Sequence, residues 1–263
     1  MSTRLVGLAV AFALFAAGLA GCGLGAGERS SEARVLVTRD FGAEQLGGRI
    51  VQNLSGSETA LQLLRRSVDV GAHDGGGADW FVYVNGIGQE RDAADVGLHG
   101  GDRIWWDRHA GGAAADVPAV VGAYPEPFLH GAEGKRYPVV LECVGAVESA
   151  CERVGARLTA AGVRVARQAP GTGTGVETLR VLVGTWAQLR GDPALAQLDR
   201  GPAASGVYAR FDDGGRSLVL LDATGAAAHR LGAGAGLVAA TRFEDQAPTW
   251  AITGTDVAGV AAA

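Results

Sequence analysis

The stretch Trp80–His109, WFVYVNGIGQERDAADVGLHGGDRIWWDRH, decides how the first half of this chain folds. Its first five residues are aromatic or β-branched, which is typical of a half-buried strand. Asn85-Gly86 predicts a tight turn, because both residue types tolerate positive φ. Gly100-Gly101-Asp102 predicts a second turn, and Arg103–Trp106 a second strand. The stretch therefore predicts two strands joined by an irregular polar connection.

Upstream of this stretch, the sequence predicts two further strands and one helix. Ala33–Thr38 alternates well enough for a first strand, and Ile50-Val51 is predicted to lie in an edge strand. Ser57 is a suitable N-cap for a helix over Glu58–Ser67, with Leu61, Leu64 and Val68 on one face. The predicted order is strand, edge strand, helix, strand, strand.

One motif in this half resembles a known family. Val84-Asn85-Gly86, Leu98, Gly101-Asp102 and Ile104-Trp105 are similar to the transcobalamin-like C-terminal domain, an uncharacterised bacterial family related to the small β-domain of vitamin B12 carriers. The resemblance covers Ala33–His109. It implies a β-grasp-like, extracytoplasmic binding module, with a corrinoid ligand only by analogy with the eukaryotic carriers.

The N-terminus has the features of a bacterial lipoprotein signal. Arg4 is followed by the apolar run Leu5–Gly18, which is too short for a comfortable membrane span. Leu19-Ala20-Gly21-Cys22 looks like a lipobox, so residues 1–21 are predicted to be a signal peptide and Cys22 the lipidated residue, anchored by acyl chains such as palmitate. An ordinary secretory signal is the alternative. Residues 22–32 are predicted to form a flexible tether.

Composition favours a protein without a nucleic-acid partner. The chain is rich in Gly, Ala, Val and Arg with a single lysine, which is typical of a high-GC, actinobacterial genome. Its arginines therefore reflect codon bias and do not indicate a phosphate-binding surface. The formal net charge is −5, which argues against binding driven by nucleic-acid phosphates.

A linker separates the first module from a second domain. Residues 110–135 are rich in Gly, Ala and Pro, and Tyr124–Phe128 is predicted to pack as an extended strap, with a recognition role as the alternative. The domain over residues 136–263 opens with a β-α-β pattern: strand Tyr137–Cys143, helix Glu148–Ala161 and strand Val163–Arg167.

Cys143 and Cys151 are predicted to form a disulfide, because they are the two cysteines that remain beside Cys22 in an oxidising compartment. A metal site is the rival interpretation, but no histidine lies near them in the sequence. A redox role would favour a C-x-x-C spacing, which is absent.

The rest of the second domain is predicted as mixed helices and strands. Its Gly-rich run, residues 170–175, lacks the G-K-[ST] ending of a phosphate-binding loop. The turn at Asp212–Gly215 predicts a hairpin between Val207–Phe211 and Ser217–Asp222. The remaining predictions are a loop over Gly201–Gly206, a helix over Thr224–Leu231, strands Leu237–Thr241 and Trp250–Thr253, and a final helix capped by Thr255 or Asp256. The expected fold class is α+β: a small β-grasp-like module followed by a mixed α/β domain.

The sequence contains no recognisable catalytic motif. No G-x-S-x-G elbow is present. The histidines His73, His99, His109, His130 and His229 are scattered and predicted to be solvated, and Asp92, Asp95 and Asp102 fall at turn positions where Asp hydrogen-bonds its own backbone. We therefore predict no catalytic residue, metal ligand or cofactor.

The aromatic residues of the opening stretch are the candidate ligand contacts, because an exposed indole beside a Gly-rich loop can stack on a flat ligand. The candidates are Trp80, Tyr83, Asn85, Trp105 and Trp106. The expected function is a membrane-anchored, extracytoplasmic, non-catalytic binding or adaptor protein for a small molecule or an envelope partner. A structural envelope protein, or an enzyme in the second domain, are the alternatives.

Overall fold

The computed structural model describes residues 32–67, 78–110, 117–172 and 174–263. Within these residues the chain is a mixed α/β protein, with thirteen strands in three sheets and six α-helices. The predicted signal peptide, the predicted lipidation site Cys22, nearly all of the predicted tether, Val68 and His73 lie outside the described residues. No helix of the described ranges is long and apolar enough to cross a membrane.

The first sheet is formed by the N-terminal third of the chain. Its strand order is β2-β1-β5-β3-β4, and β1 and β5 lie parallel at its centre. The strands are β1 (Ala33–Arg39), β2 (Glu44–Val51), β3 (Ala78–Val84), β4 (Ile87–Gly88) and β5 (Arg103–Ala110). The predicted strands are all present here, with β4 as a short addition after the Asn85-Gly86 turn.

Helix α1 (Ala60–Ser67) packs on one face of this sheet. The predicted cap, Ser57, is wrong. Thr59 caps the helix instead, because its hydroxyl accepts a bond from the Gln62 amide while the Gln62 side chain accepts one from the Thr59 amide. The buried face begins at Ala60 and includes Leu63 and Leu64.

The two faces of the first sheet have different surroundings, because successive side chains of a strand point to opposite faces. One face forms a core with α1, and it includes Val35, Val37, Ile104 and Trp106. The opposite face faces the C-terminal part of the chain. It carries Leu36 and Thr38 from β1, Phe81 and Tyr83 from β3, and Trp105, Asp107 and His109 from β5.

Residues 117–136 extend along the first sheet. The amide of Gly88 donates to the Pro118 carbonyl, and the amide of Val120 donates to the Gly86 carbonyl. Gly86 has φ +77, and a Cβ on it would lie 2.8 Å from the Val120 oxygen, so this turn requires glycine. The predicted extended strap at Tyr124–Phe128 is wrong: these residues form consecutive turns that bury Phe128.

The second sheet has the order β12-β13-β8-β6-β7, and only its edge strand β12 runs antiparallel to its neighbour. The strands are β6 (Val139–Cys143), β7 (Val165–Gln168), β8 (Leu179–Thr185), β12 (Gly236–Thr241) and β13 (Thr249–Gly254). Helix α2 (Glu148–Ala160) packs on one face, together with Phe128 and Trp250. The final helix, α6 (Val257–Ala262), is capped by Asp256 as predicted. Cys143 and Cys151 form the predicted disulfide between β6 and α2.

Three short helices and the third sheet cover the other face of the second sheet, around Trp186 and Leu195. The helices are α3 (Trp186–Leu189), α4 (Ala196–Asp199) and α5 (Pro202–Ser205), and the strands are β9 (Ala209–Asp212), β10 (Ser217–Leu221) and β11 (Ala227–Leu231), in the order β11-β10-β9. The predicted hairpin at Asp212–Gly215 is confirmed. Two predictions are wrong: the predicted loop Gly201–Gly206 contains α5, and the predicted helix Thr224–Leu231 is a turn followed by the strand β11.

Candidate functional site

A cavity of about 590 Å³ lies where the first sheet meets the C-terminal part of the chain. Its floor is formed by β1, β2 and β5, on the face of the first sheet that is opposite to α1. Its other walls are residues 117–123, the loop at Gly206 and strand β12. We call it the central cavity. Apolar side chains line most of it: Leu36, Trp105, Val117, Ala119, Val120, Val121, Ala123, Val207, Val238 and Ala240. This size and lining are typical of sites that bind small molecules.

The floor has an ordered arrangement of side chains, because β1 and β5 run parallel and in register. Arg34 pairs with Arg103, and Leu36 pairs with Trp105. All four residues line the cavity. The floor therefore changes from cationic to apolar along the strands.

Trp105 is the aromatic centre of the floor. Its ring stacks on Tyr83 with the centroids 4.8 Å apart. Its indole N–H donates to the Thr38 hydroxyl at 2.8 Å. The indole is thus held in one orientation and half-buried, with its polar atom already bonded. What remains for a ligand is the apolar surface of the ring.

A buried polar cluster lies beneath Trp105, around Asp107. The Asp107 carboxylate accepts hydrogen bonds from the Thr38 hydroxyl and from the backbone amides of Phe41 and Gly42, at 2.9 and 3.1 Å. It is also bonded to Nδ1 of His109, 2.7 Å away. Asp107 has no solvent exposure. The cluster fixes the loop after β1 against β5.

His109 corrects the prediction that the histidines are solvated. Its side chain is 1% exposed and stacks between Phe41 and Phe81, with ring centroids 3.9 and 4.0 Å away. Its Nε2 is buried and has no hydrogen-bond partner among the described residues. A carboxylate and an imidazole in this contact are used by enzymes for acid–base chemistry. Here two phenyl rings cover the imidazole, so the arrangement favours a structural role.

Asn85 is also buried, and it connects three segments. Its side-chain nitrogen donates to Asp102 Oδ1 at 2.8 Å and to the Gly131 carbonyl at 3.0 Å. Its side-chain oxygen accepts from the Arg103 amide at 2.9 Å. All three of these hydrogen bonds are made within the protein, and Asn85 has no exposed surface. Asn85 therefore holds the fold together and has no group left for a ligand.

Acidic and histidine side chains meet next to Asn85. Burial raises the pKa of Asp102 above its ordinary value, although bonds from the His99 amide and Asn85 oppose this. Glu126 is 2% exposed and bonds His130 Nδ1 at 2.6 Å, which raises the pKa of that histidine. His130 is thus half-buried and paired, a second exception to the predicted solvated histidines. His99 and His229 are exposed as predicted.

The structure separates the five predicted ligand contacts. Trp105 lines the central cavity, and Tyr83 lies behind it, where burial followed by the Asp107 carboxylate raises the pKa of the phenol. Trp106 is 2% exposed in the core with α1. Trp80 contacts Trp106 edge-on and lines a different cavity of about 830 Å³ between α1 and residues 89–93.

The acidic residues considered as catalytic or metal-binding candidates have structural roles where the structure describes them. Asp92 accepts a bond from the Ala94 amide, as expected of an aspartate in a turn. Within the described ranges, no three His, Cys, Asp or Glu side chains are close enough together to hold a metal ion.

Sequence reasoning missed Thr38, Asp107 and His109. The signal was the alternation of β5 beyond Trp106. If the alternation of β5 is extended from Trp106 to Ala110, Trp105, Asp107 and His109 lie on one face of the strand.

Comparison with known proteins does not identify a relative for this chain. No protein-family model, no curated protein and no solved structure matches it.

Proposed function

We propose that this chain is a non-catalytic binding protein that holds a small, mostly apolar molecule in the central cavity. The observation that carries the proposal is the floor of that cavity, where a fixed and half-buried Trp105 lies beside the exposed Leu36 beneath a wall of valines. Leu36 is 40% exposed. An apolar ligand that covers these side chains would remove apolar surface from water, which is worth about 25 cal/mol per Å².

We also propose that the protein works at the extracytoplasmic face of the cell membrane as a lipoprotein. The support is the lipobox that ends at Cys22, followed by a small, polar tether that ends where β1 begins at Ala33. Such a tether would keep the cavity close to the membrane surface. The partners of this proposal are the membrane, through the lipid, and a small molecule or an envelope protein.

We also propose that the first sheet is related to transcobalamin-like, β-grasp-like modules, and its strand order supports this proposal. The order β2-β1-β5-β3-β4, with a central parallel pair and one helix on the sheet, is compatible with that class. A corrinoid ligand is part of the proposal only by analogy. The motif residues Asn85 and Asp102 bond to each other, so they support the fold of such a module rather than its ligand.

An adaptor role for an envelope partner is the second candidate, because β11 is an edge strand of the third sheet in the described part of the chain. All five residues of Ala227–Leu231 are exposed, and one side of the strand has no neighbour within its sheet. Exposed edges of this kind can accept a strand from another chain.

The test of the binding proposal is a titration of residues 22–263 carrying Cys22→Ser with the neutral apolar dye N-phenyl-1-naphthylamine, and separately with cobinamide. We expect saturable, micromolar dye binding. Leu36→Trp should abolish it by filling the floor of the cavity. Ile50→Trp is the matched control, because Ile50 is 53% exposed on the same sheet and does not line the cavity.

The outcomes discriminate between the candidates. Equal dye binding by both variants, or none by the unaltered protein, contradicts the cavity proposal and favours the adaptor role. Cobinamide binding that Leu36→Trp removes would support the corrinoid analogy as well.

A further inference from the structure

We infer that the ligand of the central cavity is an anionic amphiphile, an apolar chain that ends in a carboxylate or phosphate, with its head group between Arg34 and Arg103. This inference rests on the proposed binding function and deepens it. Three observations carry it: the juxtaposition of the two guanidinium groups, their lack of a carboxylate partner among the described residues, and the change of polarity along the cavity floor.

The first observation is the register of β1 and β5. Arg34 and Arg103 are direct partners across the parallel pair, and both line the central cavity. Like charges directly opposite each other on neighbouring strands destabilise a sheet. An anion bound between the two guanidinium groups would attract both of them and so offset their mutual repulsion.

The second observation is that the described residues offer these two cations no carboxylate partner. Arg103 Nη1 donates to the Tyr124 carbonyl at 3.0 Å, and in the part of the chain that the structure describes no carboxylate pairs with either arginine. Some arginines of the chain are paired with carboxylates, and Arg180 is the most buried example. Arg180 lies between Glu142 and Asp192, with nitrogen–oxygen distances of 3.0 and 2.7 Å. Guanidinium groups bind carboxylates and phosphates through paired, charge-assisted hydrogen bonds.

The third observation is the change from charged to apolar side chains along the cavity floor. Side chains on one face of a strand are two residues apart, roughly 6.6 Å along the strand. Leu36 and Trp105 thus follow Arg34 and Arg103 by one such step, and the valine-rich wall lies across from them. A molecule whose charged end meets the arginines can lay an apolar body over Leu36 and Trp105.

The same features argue against a polar anion such as a nucleotide. The Trp105 indole N–H is already bonded to Thr38, and most of the other cavity-lining side chains are aliphatic. A ligand rich in hydroxyl or amide groups would lose its hydrogen bonds to water there, because the aliphatic side chains offer no hydrogen-bond partners in their place. A molecule that is charged at one end only avoids this cost.

The experiment compares three ligands of one chain length: palmitate, hexadecyl phosphate and the neutral hexadecanol. Each displaces N-phenyl-1-naphthylamine from residues 22–263 carrying Cys22→Ser, after removal of co-purified lipid. We expect at least one anionic ligand to bind about tenfold more tightly than hexadecanol, and its advantage to shrink at high salt.

Substitution locates the head group. The double variant Arg34→Gln, Arg103→Gln should lose the anionic advantage while hexadecanol and the dye bind as before. Arg65→Gln is the matched control, because Arg65 is exposed on α1, which packs on the opposite face of the first sheet. It should leave all three affinities unchanged.

Two failures are distinguishable. If no ligand and no dye binds, the proposed binding function itself fails. If the dye and hexadecanol bind but neither palmitate nor hexadecyl phosphate binds better, or if the double variant keeps the advantage, the inference about the anionic head group is overturned while the binding function stands. Which of the two anions binds more tightly identifies the head-group chemistry.

Discussion

The side-chain amide of Asn85 donates to the carboxylate of Asp102 at 2.8 Å, and both side chains are buried. Asn85 occupies the turn after β3, and Asp102 immediately precedes β5. The same Asn85 nitrogen contacts the carbonyl of Gly131. Asn85 therefore holds the first sheet to the segment 117–136, whose first part, residues 117–123, forms one wall of the central cavity.

Asn85→Ala should strongly destabilise the protein. The substitution removes three buried hydrogen bonds and leaves the Asp102 carboxylate short of a donor, for an expected loss of about 2–4 kcal/mol in the free energy of unfolding. Urea unfolding followed by tryptophan fluorescence measures it. Asn53→Ala is the control, because Asn53 has the same φ of 55° but is exposed. Equal losses in the two variants would mean that backbone strain, not hydrogen bonding, explains the effect.

Asp107→Asn should also destabilise the fold, although it changes one atom. Asp107 accepts bonds from a hydroxyl, two backbone amides and His109, and an amide at this position would point a donor at other donors. We expect a loss of about 2–3 kcal/mol in urea unfolding. Asp79→Asn, on the exposed surface of β3, should stay within about 0.5 kcal/mol of the unaltered protein. A small effect for Asp107→Asn would contradict the structural role given to this cluster.

Stability should fall as pH rises through the titration of His130. Its hydrogen bond to Glu126 raises its pKa above 6.5, so the folded state binds the proton more tightly than the unfolded state. The stabilisation is complete below pH 6.5 and is lost as pH rises through the raised pKa. His130 also faces Asp102 and Arg136, and neither changes this sign. His130→Gln should flatten the curve of unfolding free energy against pH above 6.5. An unchanged slope would show that another group titrates there.

Loss of the disulfide should lower stability by about 2.5 kcal/mol, the loop-entropy estimate for cysteines eight residues apart. The variant is Cys143→Ala with Cys151→Ala, which avoids placing a hydroxyl where Cys151 is fully buried. Thermal unfolding of this variant should match that of the unaltered protein after reduction. A reductant that leaves the unaltered protein unchanged would argue that the two thiols are not joined.

The strands of the first sheet could be predicted because local signals and tertiary pairing agree there. Alternation marks Ala33–Arg39, and the Asn85-Gly86 turn leads directly into the β3–β4 hairpin. Residues 227–231 show the opposite case. Their alanines favour a helix locally, but Asp222 starts a tight turn by accepting the amides of Thr224 and Ala226, and pairing with β10 then decides the strand.

The candidate site was predictable only in part. The sequence predicts that one of the paired tryptophans Trp105 and Trp106 faces outward, because successive side chains of a strand point to opposite sides, and the structure shows that it is Trp105. The walls of the cavity could not be predicted, because Val117, Val207 and Val238 come from segments distant in the sequence, and no local pattern records which loop will cover a sheet. The composition alone attributes Arg34 and Arg103, like the other arginines, to codon bias. Their significance depends on the register of two strands almost seventy residues apart.

The most direct test of the account is quenching of Trp105 by a bound neutral ligand, 11-bromoundecanol. The chain has five tryptophans, all of them in the described ranges, and Trp105 is the one that lines the central cavity. Saturable quenching should occur in the unaltered protein and in Trp80→Phe, whose indole lines the other cavity, and should disappear in Trp105→Phe. Saturable quenching that survives in Trp105→Phe, or is lost in Trp80→Phe, would contradict binding at the central cavity.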